Sequence, residues 1–311
     1  MTAVINKKAF MASLPFVGLI AVTIVFTIMT NGRFISAKNL ELIMNQSYTV
    51  VLVAIGVTFI FTHGGIDFSV GAVLAMAQML GAYMLLWTDS AFAAYAAIFV
   101  TALICGSITA GITVGFGLPP FIASLCMQFM CRGIINTAIS ASGVGANQLA
   151  VAGWTVRLIV LGLVVVGAFL LHTRTKIGIY NKAIGENQLA ATASGVNSKQ
   201  YKYIAYLISA VTLSIASSFD LSRTGIMNTS TGMGLEMDVI IAVCLGGLSL
   251  RGGYGASVRC AVIGGVLIAA LTNGFILIGV HSNYFGLIKC VVFIIVIMFT
   301  FKRNVSGFMP R

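Results

Sequence analysis

Of the 311 residues, 59% are hydrophobic and only 8% are charged, with a formal net charge of +11. A soluble domain carries about 25% charged residues, so a chain this apolar cannot cover a globular surface with polar groups, and the bilayer must solvate much of it. The basic excess does not point to nucleic acid: no basic patch with interleaved aromatics occurs, and the Lys and Arg residues fall mainly in loops between apolar runs.

The chain opens with Lys7 and Lys8 before an apolar run over 9–30. That run is longer than a signal-peptide core and lacks a small-x-small cleavage site, so it is expected to be a retained first span. Further apolar runs lie at 42–62, 69–87, 91–116, 120–141, 154–171, 203–222, 238–250, 256–280 and 284–301. Most can cross a hydrocarbon core of about 30 Å as helices. The exception is 238–250, whose thirteen residues reach only about 20 Å; it is expected to be a tilted or re-entrant half-helix. The pattern predicts an all-α integral membrane protein, one domain over 1–311, with a bundle of about ten transmembrane helices.

Basic loops set the expected orientation. Lys7 and Lys8, the group Arg174, Lys176, Lys182, Lys199 and Lys202, the pair Arg251 and Arg259, and the terminal Lys302, Arg303 and Arg311 all fall on one side when ten spans alternate. Glu41, Asp89, Asp220, Glu236 and Asp238 fall on the other, with only a few basic residues such as Arg33, Lys38 and Arg223. By the positive-inside rule both termini are expected in the cytoplasm, and so is the hydrophilic stretch 172–202.

Small residues recur four apart at Ser107, Gly111 and Gly115, and again at Ala261, Gly265 and Ala269, continuing to Asn273. Both stripes predict close helix packing. Between two spans, Gly64 and Gly65 permit a tight reversal, and Asp67 or Ser69 can cap the helix that follows. A second reading of that turn makes His63 and Asp67 a proton relay. Within the long loop, 187–195 reads as a short helix, with Asn187 as N-cap and Gly195 just past the end. The glycine-dense stretch 245–255 fits either a tight turn or a break at a cavity.

No G-x-x-x-x-G-K-[ST] loop, G-x-G-x-x-G turn or H-E-x-x-H pair is present, and His63, His172 and His281 share no ligand spacing. The chain is therefore not expected to bind ATP, a metal or another cofactor itself. Cys105, Cys126, Cys131, Cys244, Cys260 and Cys290 lie in or beside apolar runs and read as small apolar residues. Arg132, Lys289 and Asp67 are the few deep ionisable groups, too scattered for an embedded enzyme. An ion-gradient-driven secondary transporter, the main alternative, would want more intramembrane carboxylates and an inverted repeat; a channel would want a filter or a ring of charge.

Several stretches together resemble the permease subunits of bacterial ABC importers of the ribose, galactose and xylose group. Residues 64–71 are similar to G-I-D-L-S-V-G. Pro120 to Leu125 with Arg132 and Gly133 are similar to P/A-F-I-x-T-L…R-G, and Thr173-Arg174 with Gly185-Glu186-Asn187 and Ser194 to Asn197 resemble T-R…G-G-N…S-G-I-N. The last part, from Glu236-Met237-Asp238 through Leu245-Gly246-Gly247 and Gly252-Gly253 to Asn273 and Lys289, is the most similar. Where the family usually has Glu-Ala-Ala, the chain has Gln188-Leu189-Ala190, and its connector 143–155 is short.

The resemblance implies a permease that pairs with a second permease copy, identical or related, to form a path for a small sugar-like solute. A separate ATP-binding cassette ATPase would hold ATP and Mg, and an external solute-binding protein would deliver the solute. Gly185, Glu186, Asn187, Gln188, Ala190, Ser194, Gly195 and Asn197 would then form the ATPase-coupling segment. Asn45, Gln46, Gln78, Gln128, Asn136 and Asn273 are candidates to line the path, or else to bond between helices. Glu236 and Asp238 are candidates to receive the binding protein, or else to cap the short 238–250 segment.

Overall fold

The computed structural model describes residues 2–139, 143–248 and 252–300. Arg251 and the terminal Lys302, Arg303 and Arg311, used above for orientation, lie outside the described residues.

Each of the ten apolar runs is helical. They correspond to α1 (Thr2–Met29), α2 (Ala37–Thr62), α3 (Val70–Thr88), α4 (Ala91–Gly115), α5 (Pro120–Ala138), α6 (Trp154–Arg174), α9 (Ser198–Thr224), α10 (Leu235–Leu245), α11 (Val258–Leu277) and α12 (Phe285–Thr300). The long loop holds α7 (Lys176–Glu186) and α8 (Gln188–Ala193). A short antiparallel ribbon joins β1 (Val144–Gly145) to β2 (Ile226–Met227). Among the described residues, seven helices are long and apolar enough to cross a membrane: α2 to α6, α9 and α11. The apolar parts of α1 and α12, Pro15–Met29 and Phe285–Ile294, are shorter. At 11 residues α10 spans about 16 Å, too short to cross a core of about 30 Å.

The centre of the bundle is α2, in which every residue from Val50 to Thr62 is buried. A helix apolar on all faces needs neighbours on all faces, and glycines bring two of them close. A Cβ on Gly56 would lie 2.7 Å from the Ser209 Cα of α9, and one on Gly265 of α11 would lie 3.1 Å from the Val51 Cα. The stripe Ala261, Gly265 and Ala269 is therefore a packing face, as its spacing predicts.

The other stripe is not. Nothing lies within 4 Å of a Cβ built on Gly111 or Gly115. On α4 the packed row is Ala102, Gly106 and Ala110, one residue over, with Gly106 against Ala210 of α9. Small spacing marks several rows of one helix; where the neighbour stands decides which row is used.

Two connections are tied to α5. After α2, residues 65–69 are non-helical, and the Phe68 N–H donates to Ser124 Oγ, a turn into α5, at 3.1 Å. After β2, the chain runs beside the interior of α5, where Arg132 Nη1 donates to the Thr231 carbonyl at 2.7 Å and to that of Thr229 at 3.3 Å. The N-termini of α3 and α10 thus meet within the bundle, Gly71 against Gly232 and Glu236.

Candidate functional site

The hydrophilic loop folds into a capped helix pair. Asn187, the residue between α7 and α8, accepts from the Ala190 N–H at 3.0 Å. At the other end Gly195 has φ +86°, its N–H donates to the Thr192 carbonyl and that of Val196 to Ala191, both at 3.0 Å. This is the paired bonding of a Schellman end, for which a left-handed glycine is suited. Ser194 Oγ donates to the Ala190 carbonyl at 2.9 Å, and Asn197 starts α9 by accepting from the Gln200 N–H at 3.2 Å. Gln188, in the place of the family's Glu, accepts from Lys202 Nζ at 2.8 Å. Partial burial on α7 holds the Lys182 ammonium below the usual lysine range.

A cleft of about 490 Å³ lies between α7, α8 and the α10–α11 loop, lined by Tyr180, Glu186, Asn187, Ala190, Gly195 and Tyr254. On the same helix pair Leu189 is 84% exposed. An apolar side chain that bare on a polar loop is a ready anchor for a protein surface. The sequence pattern marks Leu189 only as a departure from Glu-Ala-Ala, and leaves Tyr254 inside an undifferentiated glycine run.

Beneath this cleft the last turn of α2 is gripped from several sides. A helix C-terminus leaves four carbonyls without helical partners, and here all four are used. Asn181 Nδ2 donates to Phe59 O at 2.7 Å, Gly65 N to Ile60 O at 3.1 Å, Gly64 N to Phe61 O at 2.9 Å and Gly253 N to Thr62 O at 2.8 Å. His172, fully buried at the end of α6, places Nε2 3.0 Å from Thr62 Oγ1. Gly185 has no room for a side chain: a Cβ would strike the Thr62 carbonyl and sit 2.7 Å from Gly253 N.

The turn that follows uses its residues unequally. Gly64 has φ +82°, where glycine is needed. A Cβ on Gly65 would lie 2.7 Å from His63 Cε1. Asp67 Oδ1 accepts from the Ser69 N–H at 2.8 Å and from Ser69 Oγ at 2.6 Å. Asp67 is thus the acceptor at this helix start, while the Ser69 side chain makes no cap bond to α3. His63 is buried with neither ring nitrogen hydrogen-bonded, so the relay reading lacks its central contact with Asp67.

Glu236 and Asp238 turn into the bundle. The Glu236 carboxylate packs where a side chain of Gly71 would be, beside the N-terminus of α3, and its Oε2 is buried without a partner. Asp238 pairs with Lys289 of α12 at 2.6 Å. Neither projects as a free rim carboxylate. Of 228–234, which reads as an external loop in sequence, the Thr229 and Thr231 carbonyls bond Arg132, while Ser230, Met233 and Gly234 are exposed.

The six polar candidates for a solute path have different surroundings. Asn45 Oδ1 accepts from Arg157 of α6, and Gln78 Nε2 donates to Asp220 of α9 at 3.0 Å, so both bond between helices. Gln46 and Asn273 each keep a buried side-chain oxygen without a partner. Gln128 is half-buried and Asn136 exposed, both on α5, where Phe121, Phe129 and Ile134 are also bare.

A bundle of long apolar helices around broken segments, with a cleft on its hydrophilic loop, suits a membrane transport subunit. The chain belongs to the family described as branched-chain amino acid transport system / permease component, whose profile matches residues 39–297. It is 32% identical over 309 residues to the ribose import permease protein RbsC of Bacillus subtilis, covering 93% of this chain and 92% of that one. To RbsC of Escherichia coli K12 it is 30% identical over 298 residues, 92% of each. To the D-allose transport system permease protein AlsC of the same organism it is 31% identical over 269 residues, 84% of this chain and 82% of that one. Membership makes the chain a transport component of the permease kind, multi-pass in the inner membrane.

Proposed function

We propose that the chain is the permease subunit of an ATP-driven, binding-protein-dependent importer of a small monosaccharide-like solute. The observation that carries this reading is the capped α7–α8 pair with bare Leu189 beside a cleft, placed directly on the end of the most buried helix. A separate ATPase, holding ATP and Mg, docks there, with Leu189 as apolar anchor and Gly185 to Asn197 as the frame. The family's name refers to amino acids, but relatives about 30% identical over most of both chains are named for ribose and allose, and a pentose or hexose is the first choice.

Ten segments lie in the membrane, α10 as a half-helix, with both termini and α7–α8 cytoplasmic. The bare faces of α4 and α5 meet a second permease copy, identical or related. Gln128 and Asn136 on that side line the solute path, together with the break at Gly71, Arg132 and Glu236. An external binding protein delivers the solute on the ribbon side.

Recovery from native membranes is the direct test. The tagged chain is expected to bring down an ATPase and, with solute present, a secreted binding protein. Leu189→Asp should release the ATPase without loss of the chain from the membrane. Isolation of the chain with neither partner, or ATPase retention by Leu189→Asp equal to the unaltered chain, would sink the assignment of this cleft.

A further inference from the structure

The start of α6 carries a buried cation that its neighbours do not neutralise. Arg157, in the first turn, is only 8% exposed. Its Nη1 donates to Asn45 Oδ1, and its guanidinium lies 5.4 Å from the centre of the Trp154 ring, but Nε is buried without a partner. The Tyr48 hydroxyl is buried and unpaired as well. The carboxylates nearby are engaged: Asp220 accepts from Arg223 at 2.7 Å, from Gln78 at 3.0 Å and from Thr49 at 3.5 Å, and Glu41 accepts from the Trp154 indole at 3.4 Å. Among the described residues, ion pairs join Arg223 to Asp220 and Lys289 to Asp238, and neither includes Arg157. A buried charge within a membrane segment is costly unless an opposite charge meets it. Arg157 and Tyr48 line a recess of about 10 Å³ together with Thr49 and Arg223, room for about a single oxygen.

From that recess an apolar groove runs along α9 toward the α7–α8 end. Phe219 borders both the recess and a cleft of about 360 Å³ shared with Tyr95, Val160 and Ser222. Ile215 borders that cleft and another of about 380 Å³, walled by Val164 and Leu171 of α6 and by Ile208 and Val211 of α9. Ile208, Val211, Ile215 and Phe219 recur at helical spacing, so one face of α9 floors the whole groove. The helix α6 packs mainly on α7 and α2, which leaves the groove open between it and α9. From Ser222 to Val211 the chain advances eleven residues, about 16 Å of helix, the depth of one leaflet's hydrocarbon. Both arginines stand where α6 begins and α9 ends, at the side away from α7–α8, and Trp154 is the residue type found at a membrane interface.

We propose that this groove holds an anionic phospholipid, with a phosphate oxygen entering the recess toward Arg157 Nε and the Tyr48 hydroxyl and one acyl chain laid along α9. Charge complementarity selects the occupant. A phosphate supplies the anion that Arg157 lacks, and guanidinium groups bond phosphate oxygens well. A zwitterionic headgroup brings its own cation to the same place, and an apolar face of a second protein brings no anion at all. The proposal needs the chain to lie in the bilayer and nothing about ATP or the solute.

The test uses the full chain, purified in detergent and stripped of lipid. It is titrated with phosphatidylglycerol or phosphatidylcholine of the same acyl chains, and native mass spectrometry reads bound lipid and subunit number. One phosphatidylglycerol per chain is expected, bound about tenfold more tightly than phosphatidylcholine, as a charge-assisted bond allows. Arg157→Gln should abolish that preference. Ile215→Trp fills the half-buried groove, leaves the arginine in place and should weaken both lipids. Thermal melting of the lipid-free variants checks their folding; should Arg157→Gln not fold, Ile215→Trp and the headgroup comparison decide alone. Equal binding of the two lipids, or an undiminished preference in Arg157→Gln, would mark an ordinary lipid shell and overturn the proposal. Displacement of the lipid by inorganic phosphate, with normal lipid binding in Ile215→Trp, would mark a plain anion site and overturn it too. So would a dimer of the unaltered chain that Ile215→Trp dissolves, since a second copy would then cover the groove.

Discussion

The junction at the end of α2 and the break at the start of α3 both interrupt helices inside the bundle, yet their polar groups fare differently. At the junction all four terminal carbonyls of α2 find donors, from Asn181, Gly64, Gly65 and Gly253, and the atoms left without partners belong to the imidazoles of His63 and His172 and the amide of Asn181. At the break no side chain caps α3 or α10 directly, and Arg132 Nη2 and Glu236 Oε2 are buried without partners. The four bonded carbonyls hold the junction as one body, because separating it leaves groups unpaired at a cost of about 1–3 kcal/mol each. A break with unpaired charged atoms has partners to gain by moving, or by meeting a polyol. The difference puts rigidity at the α7–α8 end and adaptability at the start of α3.

The largest effect is expected from Gly71→Ala. Its methyl would collide with the Glu236 carboxylate and the Gly232 carbonyl, and overpacking of this kind costs about 1–3 kcal/mol. Uptake should fall about tenfold while the protein stays in the membrane and keeps its ATPase. Normal uptake would show that α3 and α10 do not meet at Gly71.

Next comes Asn181→Ala, which strips the donor from the Phe59 carbonyl in a buried site. A loss of about 1–3 kcal/mol should appear as a lower thermal midpoint of the detergent-solubilised chain. An unchanged midpoint would remove the claim that the junction is rigid because it is satisfied.

Asn187→Ala removes the cap of α8 and should cost about 1 kcal/mol locally. Proteolysis within 187–196 of the free chain should quicken, and return to normal once the ATPase is bound. The smallest effect belongs to Glu236→Gln, since Oε2 has no hydrogen bond to lose. Stability should hold, and the binding-protein concentration for half-maximal uptake should not move. A rise in that concentration, greatest at low salt, would instead return Glu236 to an exposed docking surface.

The seven long apolar helices were legible because helix length against bilayer thickness leaves few options, and the short α10 overlaps the predicted run 238–250. The caps Asn187 and Gly195 were legible because their chemistry is local. What escaped was contact between distant segments. Residues 228–234 are mostly polar and small, and nothing local marks the Thr229 and Thr231 carbonyls as partners of Arg132. The stripe Ser107, Gly111 and Gly115 has the right spacing, but α9 stands against the neighbouring row. Leu189 is apolar like most of the chain, and only its exposure sets it apart.

The central claim is that transport through this chain is driven by ATP at α7–α8. The most direct measurement is uptake of labelled ribose and allose into proteoliposomes holding the chain with the ATPase and binding protein recovered beside it. Uptake that requires hydrolysable ATP inside reconstituted vesicles of the right orientation, persists when ionophores collapse every ion gradient, and vanishes without the binding protein is the predicted result. Uptake by the chain alone, driven by an ion gradient and indifferent to ATP, would contradict it.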